Sequence, residues 1–215
     1  VTEQSRPSEP WEPFLDERFT GPRLDGRLRW FCEPARWSAD PAGRCLRVEP
    51  DAATDFWRKT HYGFEVDNGH LLSAELSGDF LLSTRVRFRP VHQYDQAGLM
   101  VRVSPTCWLK TSVEYEPDGP ARLGAVVTNA GYSDWSTQDF PSGHGELGLR
   151  VQRSGGDYLA EASADGRDWK QIRVARLHDD GPGVTLSAGL YACSPKGAGF
   201  VAEFEHLRID TRRAR

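Results

Sequence analysis

Four side chains at every second position, Trp108, Lys110, Ser112 and Glu114, carry the strongest chemical signal in this sequence. Alternate residues of a strand share one face. One strand would therefore present an indole, an ammonium, a hydroxyl and a carboxylate in a row. A second run, Ala97–Val103, places Met100 and Arg102 on the equivalent face, with Gln96 just ahead of it. Such a set suits a polyhydroxylated ligand. A sugar ring offers an apolar face for stacking and a rim of hydroxyls for a few placed polar groups. Trp57, His61, Tyr62, Tyr94, Asp95 and Trp135 fall in loops or strand ends and could rim that face. Tyr191 lies opposite the apolar set Val184, Leu186, Ala188 and Leu190 and could join them.

Each residue also has a plainer reading. Trp108 could be inter-sheet core, as tryptophan usually is. Lys110 and Glu114 could be a solvent-exposed pair contributing about 0–1 kcal/mol, or a residue on the neighbouring strand could bridge them. His61 could be a hydrogen-bonded loop residue. Trp57 and Trp135 could close the edges of a sandwich.

Catalysis has a thinner basis. Glycoside hydrolysis needs two carboxylates flanking the bond. Glu114 with Asp95 or His61 is the set available if the fold brings them together. Glu114 and Glu116 are two apart, but Pro117 starts a turn at once. Glu203 and Glu205 oppose Phe200, Ala202 and Phe204, and so should face solvent. No GxSxG elbow, Walker loop or dinucleotide fingerprint occurs. The four cysteines, Cys32, Cys45, Cys107 and Cys193, form no CxxC pair, which argues against zinc. Free thiols are the simplest reading, with a Cys32–Cys45 bridge as the alternative.

These residues need a sheet to hold them. Short alternating runs recur along the chain, as expected of a sandwich or barrel. They are Gly69–Glu75, Phe80–Phe88, Ala97–Val103, Trp108–Glu116, Leu123–Thr128, Gly145–Gln152, Tyr158–Ser163, Trp169–Ala175, Val184–Ala192 and Phe200–Ile209. Asp67-Asn68-Gly69, Pro117-Asp118-Gly119, Ser154-Gly155-Gly156 and Ala164-Asp165-Gly166 supply turns between them. No segment has helical period with caps. About eleven strands in 215 residues make two stacked antiparallel sheets the economical arrangement. Residues 1–13 read as a flexible arm, 14–210 as a single domain, and 211–215 as a basic tail. Seven tryptophans argue against disorder. A net charge of −4 argues against nucleic acid, and no run reaches membrane-spanning length. With no apolar leader at its start, the chain is expected in the cytoplasm.

Several phrases converge on one resemblance. They are Asp55-Phe56-Trp57-Arg58-Lys59-Thr60-His61-Tyr62-Gly63, Tyr94-Asp95-Gln96-Ala97-Gly98-Leu99-Met100-Val101-Arg102 and Trp108-Leu109-Lys110-Thr111-Ser112-Val113-Glu114-Tyr115. Val127-Thr128-Asn129, Ser133-Asp134-Trp135-Ser136, Tyr191-Ala192-Cys193-Ser194-Pro195 and Gly199-Phe200 follow in order. Together, over residues 14–210, they resemble a family of uncharacterised bacterial and fungal proteins that carry a "regulation of enolase" label. That family sits in the concanavalin-A-like lectin/glucanase superfamily. The resemblance implies an all-β, two-sheet antiparallel jelly-roll sandwich with a concave binding face, and no established activity. Retaining glucanases of that superfamily carry acidic residues at every second position of one strand, a pattern absent here. Superfamily members often use Ca²⁺. Asp134, Asp139, Asp179 and Asp180 could supply oxygens, but none forms a calcium loop, and turn formation accounts for them. No cofactor is expected.

The expected function is therefore a non-catalytic binding module for a carbohydrate or a small polyhydroxylated or phosphorylated metabolite. Trp108, Tyr94 and Tyr191 would stack on it, and Gln96, Arg102, Lys110 and Glu114 would hydrogen-bond it. Lys110 and Arg102 would also suit a phosphate or carboxylate. One alternative is a glycoside-processing enzyme. Another is a regulatory subunit with a protein partner.

Overall fold

Alternation of apolar and polar residues at period two builds the regular structure of this chain from strands. A computed structural model describes residues 10–140 and 145–212. Among the described residues there are eighteen strands. In the first part of the chain they are β1 (Glu12–Glu17), β2 (Arg29–Phe31), β3 (Arg36–Asp40), β4 (Cys45–Glu49), β5 (Phe56–Arg58) and β6 (Glu65–Asp67). The middle part holds β7 (His70–Leu76), β8 (Phe80–Arg89), β9 (Gln96–Ser104), β10 (Cys107–Glu114), β11 (Ala121–Asn129) and β12 (Tyr132–Phe140). The last part holds β13 (Glu146–Ser154), β14 (Asp157–Ser163), β15 (Lys170–Arg176), β16 (Leu186–Cys193), β17 (Val201–Phe204) and β18 (Leu207–Thr211). No helix among the described residues is long and apolar enough to cross a membrane.

The strands form a two-sheet antiparallel jelly-roll sandwich. One sheet has seven strands in the order β12-β11-β10-β9-β16-β7-β2. The other has nine, with β15-β14-β13-β8-β17-β4-β3 in line and β1 and β18 beside β8. Leu72, Leu99, Leu109 and Leu190 from the first sheet meet Leu82, Val86, Leu149, Val151 and Phe204 from the second, all fully buried. The expected faces of β9 and β10 are borne out. Thr84, Val86, Leu99, Val101, Leu109 and Val113 are buried with the core, while Met100 and Trp108 belong to a second apolar cluster.

The outer face of the nine-stranded sheet is a ladder of ion pairs. Glu203 reaches Arg47, Arg87 and Arg89, Glu205 pairs with Arg87, and Arg150 pairs with Glu161. Glu203 and Glu205 thus lie on the side expected of them, away from the core.

Three expectations change. The run Phe200–Ile209 is two strands, β17 and β18, separated by Glu205 and His206. The polar edge strand β12 is a full strand where only Trp135 and its neighbours stood out. The described end of the expected arm is tied down: Glu12 and Pro13 pair with Thr211 and Asp210, and the Arg212 guanidinium lies 3.8 Å from the Trp11 ring centre. Thr211 is therefore sheet and not tail. Residues 1–9 and 213–215 of the expected arm and tail lie outside the described residues.

A hairpin, β5–β6, forms a small separate sheet. It covers the outer face of the seven-stranded sheet. Phe56 is fully buried there, its ring 6.1 Å from Trp108 and 6.4 Å from Tyr191. Asp67 at its far end anchors to Arg102, 2.7 Å away. Ser133 Oγ accepts a hydrogen bond from the Arg58 amide at 2.9 Å.

A buried lysine and an aromatic-walled cavity

The central strand β10 has all eight residues buried. One face joins the sandwich core. The other lies under the β5–β6 hairpin. Register sets what meets there. Gln96 of β9 stands opposite Glu114, Met100 opposite Lys110, and Arg102 opposite Trp108. On the other side Val126 of β11 stands opposite Lys110, and Trp135 of β12 stands opposite Val126.

Lys110 is the pivot of this face. A buried ammonium costs several kcal/mol unless it is paired and hydrogen-bonded. Its Nζ donates to Gln96 Oε1 at 2.7 Å and to Asp55 Oδ1 at 3.2 Å. Burial pulls its pKa down, but Asp55 and Glu114 outweigh that and hold it above the ordinary lysine value. Gln96 is locked by its neighbours: Oε1 also accepts from the Tyr191 hydroxyl at 3.1 Å, and Nε2 donates to the Tyr94 carbonyl at 3.1 Å. The buried Glu114 carboxyl feels the charges of Lys110, Asp55 and Glu116. Burial pushes this carboxyl up to about 7, against the pull of Lys110. The Tyr191 hydroxyl and the Cys193 thiol are likewise raised by burial.

Above these groups lies a cavity of about 200 Å³. Asp55, Gln96, Lys110 and Glu114 form its polar floor, and Trp57, Tyr62, Phe64, Tyr94 and Trp135 contribute aromatic walls. Lys196 stands at the mouth, with Nζ 5.7 Å from the Tyr94 ring centre. Trp57 is fixed by an Nε1–H bond to the Thr60 carbonyl at 3.1 Å and by the Tyr62 ring at 5.3 Å.

The structure thus brings together seven expected site residues: Trp57, Tyr62, Tyr94, Gln96, Lys110, Glu114 and Trp135. It separates the others. Trp108 and Tyr191 are 0% and 1% exposed. They belong to the second apolar cluster, packed under Phe56, and offer no face for stacking. Arg102 is spent on Asp67 and on the Phe31 ring, 4.4 Å away. Lys110 and Glu114 are not a solvent-exposed pair, since both are buried. His61 does not reach the cavity; it lines a neighbouring cleft. Asp95 cannot pair with Glu114. Its Oδ2 accepts from the Val91 and His92 amides at 2.7 and 2.8 Å, and its Oδ1 accepts from the Ser194 hydroxyl.

Asp55 takes the place expected of Asp95. Phe64, Pro195 and Lys196 also line the cavity without having been singled out. The signal for Asp55 was indirect: a lysine in a central strand demands a carboxylate. No rule of spacing says that it comes from a hairpin 55 positions earlier.

The aspartates weighed for Ca²⁺ are engaged elsewhere, and Asp134 and Asp139 lie on strand β12 and not in turns. Asp134 pairs with Arg173, Asp139 with Arg122, and Asp180 with Arg153. Asp179 lies near the Ser104 hydroxyl, at 3.5 Å. Among the described residues no group of three or more His, Cys, Asp or Glu could hold a metal ion. All four cysteines are free thiols, so Cys32 and Cys45 form no bridge.

Comparison with known proteins agrees with this architecture. The chain is 38% identical over 164 residues to "Regulation of enolase protein 1" of Saccharomyces cerevisiae, covering 76% of this chain and 80% of that protein. A crystal structure of a functionally unknown protein from Saccharomyces cerevisiae superposes with a TM-score of 0.78 at 32% identity, covering 87% of this chain and 98% of the other. The GH43 protein BlXynB of Bacillus licheniformis superposes with a TM-score of 0.74 at 18% identity. That match covers 97% of this chain but 41% of BlXynB, and shows a shared fold alone. Residues 30–212 match a family described as "Protein of unknown function (DUF1349)". With that match and its yeast relative in hand, the chain belongs to this family.

Proposed function

We propose that the protein binds a carbohydrate or small polyhydroxylated metabolite, with one ring-sized unit seated in the Lys110–Glu114 cavity. The observation that carries this reading is the convergence of aromatic walls on a floor of four polar side chains. The walls suit the apolar face of a sugar ring. The floor offers a charged donor, a carboxyl group and a locked amide to its hydroxyls. The volume suits a single unit and not an extended chain. Four free thiols fit a ligand of a reducing compartment such as the cytoplasm.

The test is titration calorimetry with monosaccharides and their methyl glycosides on the wild type and on Trp135→Ala and Tyr94→Ala. Both side chains are half-buried, so the variants should fold. A monosaccharide that binds the wild type and binds either variant at least about tenfold more weakly supports the proposal. Binding unchanged in both variants would remove it.

Glu114 favours one second reading. A carboxyl pushed up to about 7 beside the carboxylate of Asp55 is an acid poised near neutrality. In a glycoside-processing enzyme Glu114 would donate a proton to the leaving oxygen. Turnover of aryl glycosides lost in both Glu114→Gln and Asp55→Asn would establish it; turnover retained in either would dismiss it.

A further inference from the structure

Beside the cavity runs a second, wider cleft of about 750 Å³. It opens where β12, at the edge of one sheet, meets β15, at the edge of the other, and the tip of the β5–β6 hairpin closes its end. The two hollows share a wall made of Trp57, Tyr62 and Trp135. A ligand stacked against that wall in the cavity would have its next unit beside the cleft.

The charge of the cleft runs against that of the chain. The whole protein carries −4, yet this cleft is lined by Arg173, Arg176, His61 and His178, with Asp134 as its one carboxylate. Arg173 pairs with Asp134 and Arg176 with Asp157, each at 2.9 Å. Both carboxylates are exposed, Asp134 at 70% and Asp157 at 66%. Pairs of this kind contribute little and exchange readily for a better-placed anion. On the face of the seven-stranded sheet under the hairpin the situation is reversed. The Lys110 charge is answered by Asp55 and the Arg102 charge by Asp67. The two cations expected to meet an anionic ligand are therefore already neutralised, and the available arginines lie next door.

We infer that this cleft receives an anionic group, a carboxylate or a phosphate, carried one unit beyond the ring seated in the cavity. The inference rests on the binding reading proposed above. The ligand class is then an acidic glycoside or a phosphorylated sugar conjugate, with a neutral ring at one end and the negative charge at the other.

Calorimetry with three sets of compounds tests it: neutral disaccharides, the same disaccharides with glucuronic acid as the second unit, and sugar phosphates. The expected result is that an acidic compound binds the wild type about tenfold or more tightly than its neutral counterpart. Arg173→Ala with Arg176→Ala should erase that preference and leave the affinity for a monosaccharide unchanged. The uronic acid and phosphate arms decide which anion is taken. Equal affinity for charged and neutral compounds would overturn the inference while leaving the cavity reading intact. So would a preference that survives the double variant but disappears in Lys196→Ala, because the anion would then sit at the cavity mouth. Failure of every compound, monosaccharides included, would overturn both.

Discussion

Glu114 makes the sharpest residue-level prediction. Its folded pKa of about 7 lies above the ordinary glutamate value, because burial disfavours the carboxylate. The folded state therefore holds the proton more tightly than the unfolded chain does. The stability this linkage contributes is present below the ordinary glutamate pKa and is lost as the pH rises through about 7. A shift of this size corresponds to roughly 3 kcal/mol. Glu114→Gln is neutral at every pH. Its stability relative to wild type should rise by up to about 3 kcal/mol between about pH 4 and pH 8. Urea unfolding of both proteins across that range measures the difference, and a flat difference would contradict it. The alternation around Trp108, Lys110 and Glu114 was legible because period two alone assigns those faces. What covers the face was not: the register of β9 can be inferred from neighbouring runs, but the partners of a buried lysine depend on a hairpin with no regular pattern.

At the scale of elements, the β5–β6 hairpin decides whether the seven-stranded sheet has an open or a filled outer face. Its Phe56 is the plug. Phe56→Ala should cost about 3–5 kcal/mol, in the range for a fully buried phenylalanine. It should also speed hydrogen exchange at the Arg58 and Lys59 amides, which the hairpin holds against Ser133 and Phe64. Unchanged exchange there would mean that the hairpin is held by Arg102–Asp67 alone. A second element-level prediction concerns strand spacing. A Cβ added to Gly189 of β16 would lie 1.9 Å from the Leu72 carbonyl oxygen of β7. Backbone cannot swing aside as a side-chain tip can, so Gly189→Ala should cost about 3 kcal/mol in chemical denaturation. The long apolar runs β7 to β11 were legible because they are buried and alternate cleanly. The short strands β2, β3, β5 and β6 were not. At three to five residues, and with mixed burial, they carry too few periods to be read.

At the scale of the molecule, both large sheets contribute to one core, from Leu15 of β1 to Ile209 of β18. That arrangement predicts one cooperative transition. Tryptophan emission and far-ultraviolet circular dichroism should report the same midpoint in urea. Separate midpoints would mean that the two sheets are not one folding unit. The outer ion-pair ladder should matter little, since exposed pairs contribute about 0–1 kcal/mol each. The jelly-roll class was legible from run length, turn residues and family-like phrases.

The wall shared by the two hollows also makes the molecule its own optical reporter. Trp57 is almost fully buried and Trp135 half-buried, and both face the cavity and the cleft. If the proposed ligands bind, a guest entering either hollow would displace water from the same two indoles. Both kinds of occupancy would therefore reach the observer through one intrinsic emission signal, without any attached dye.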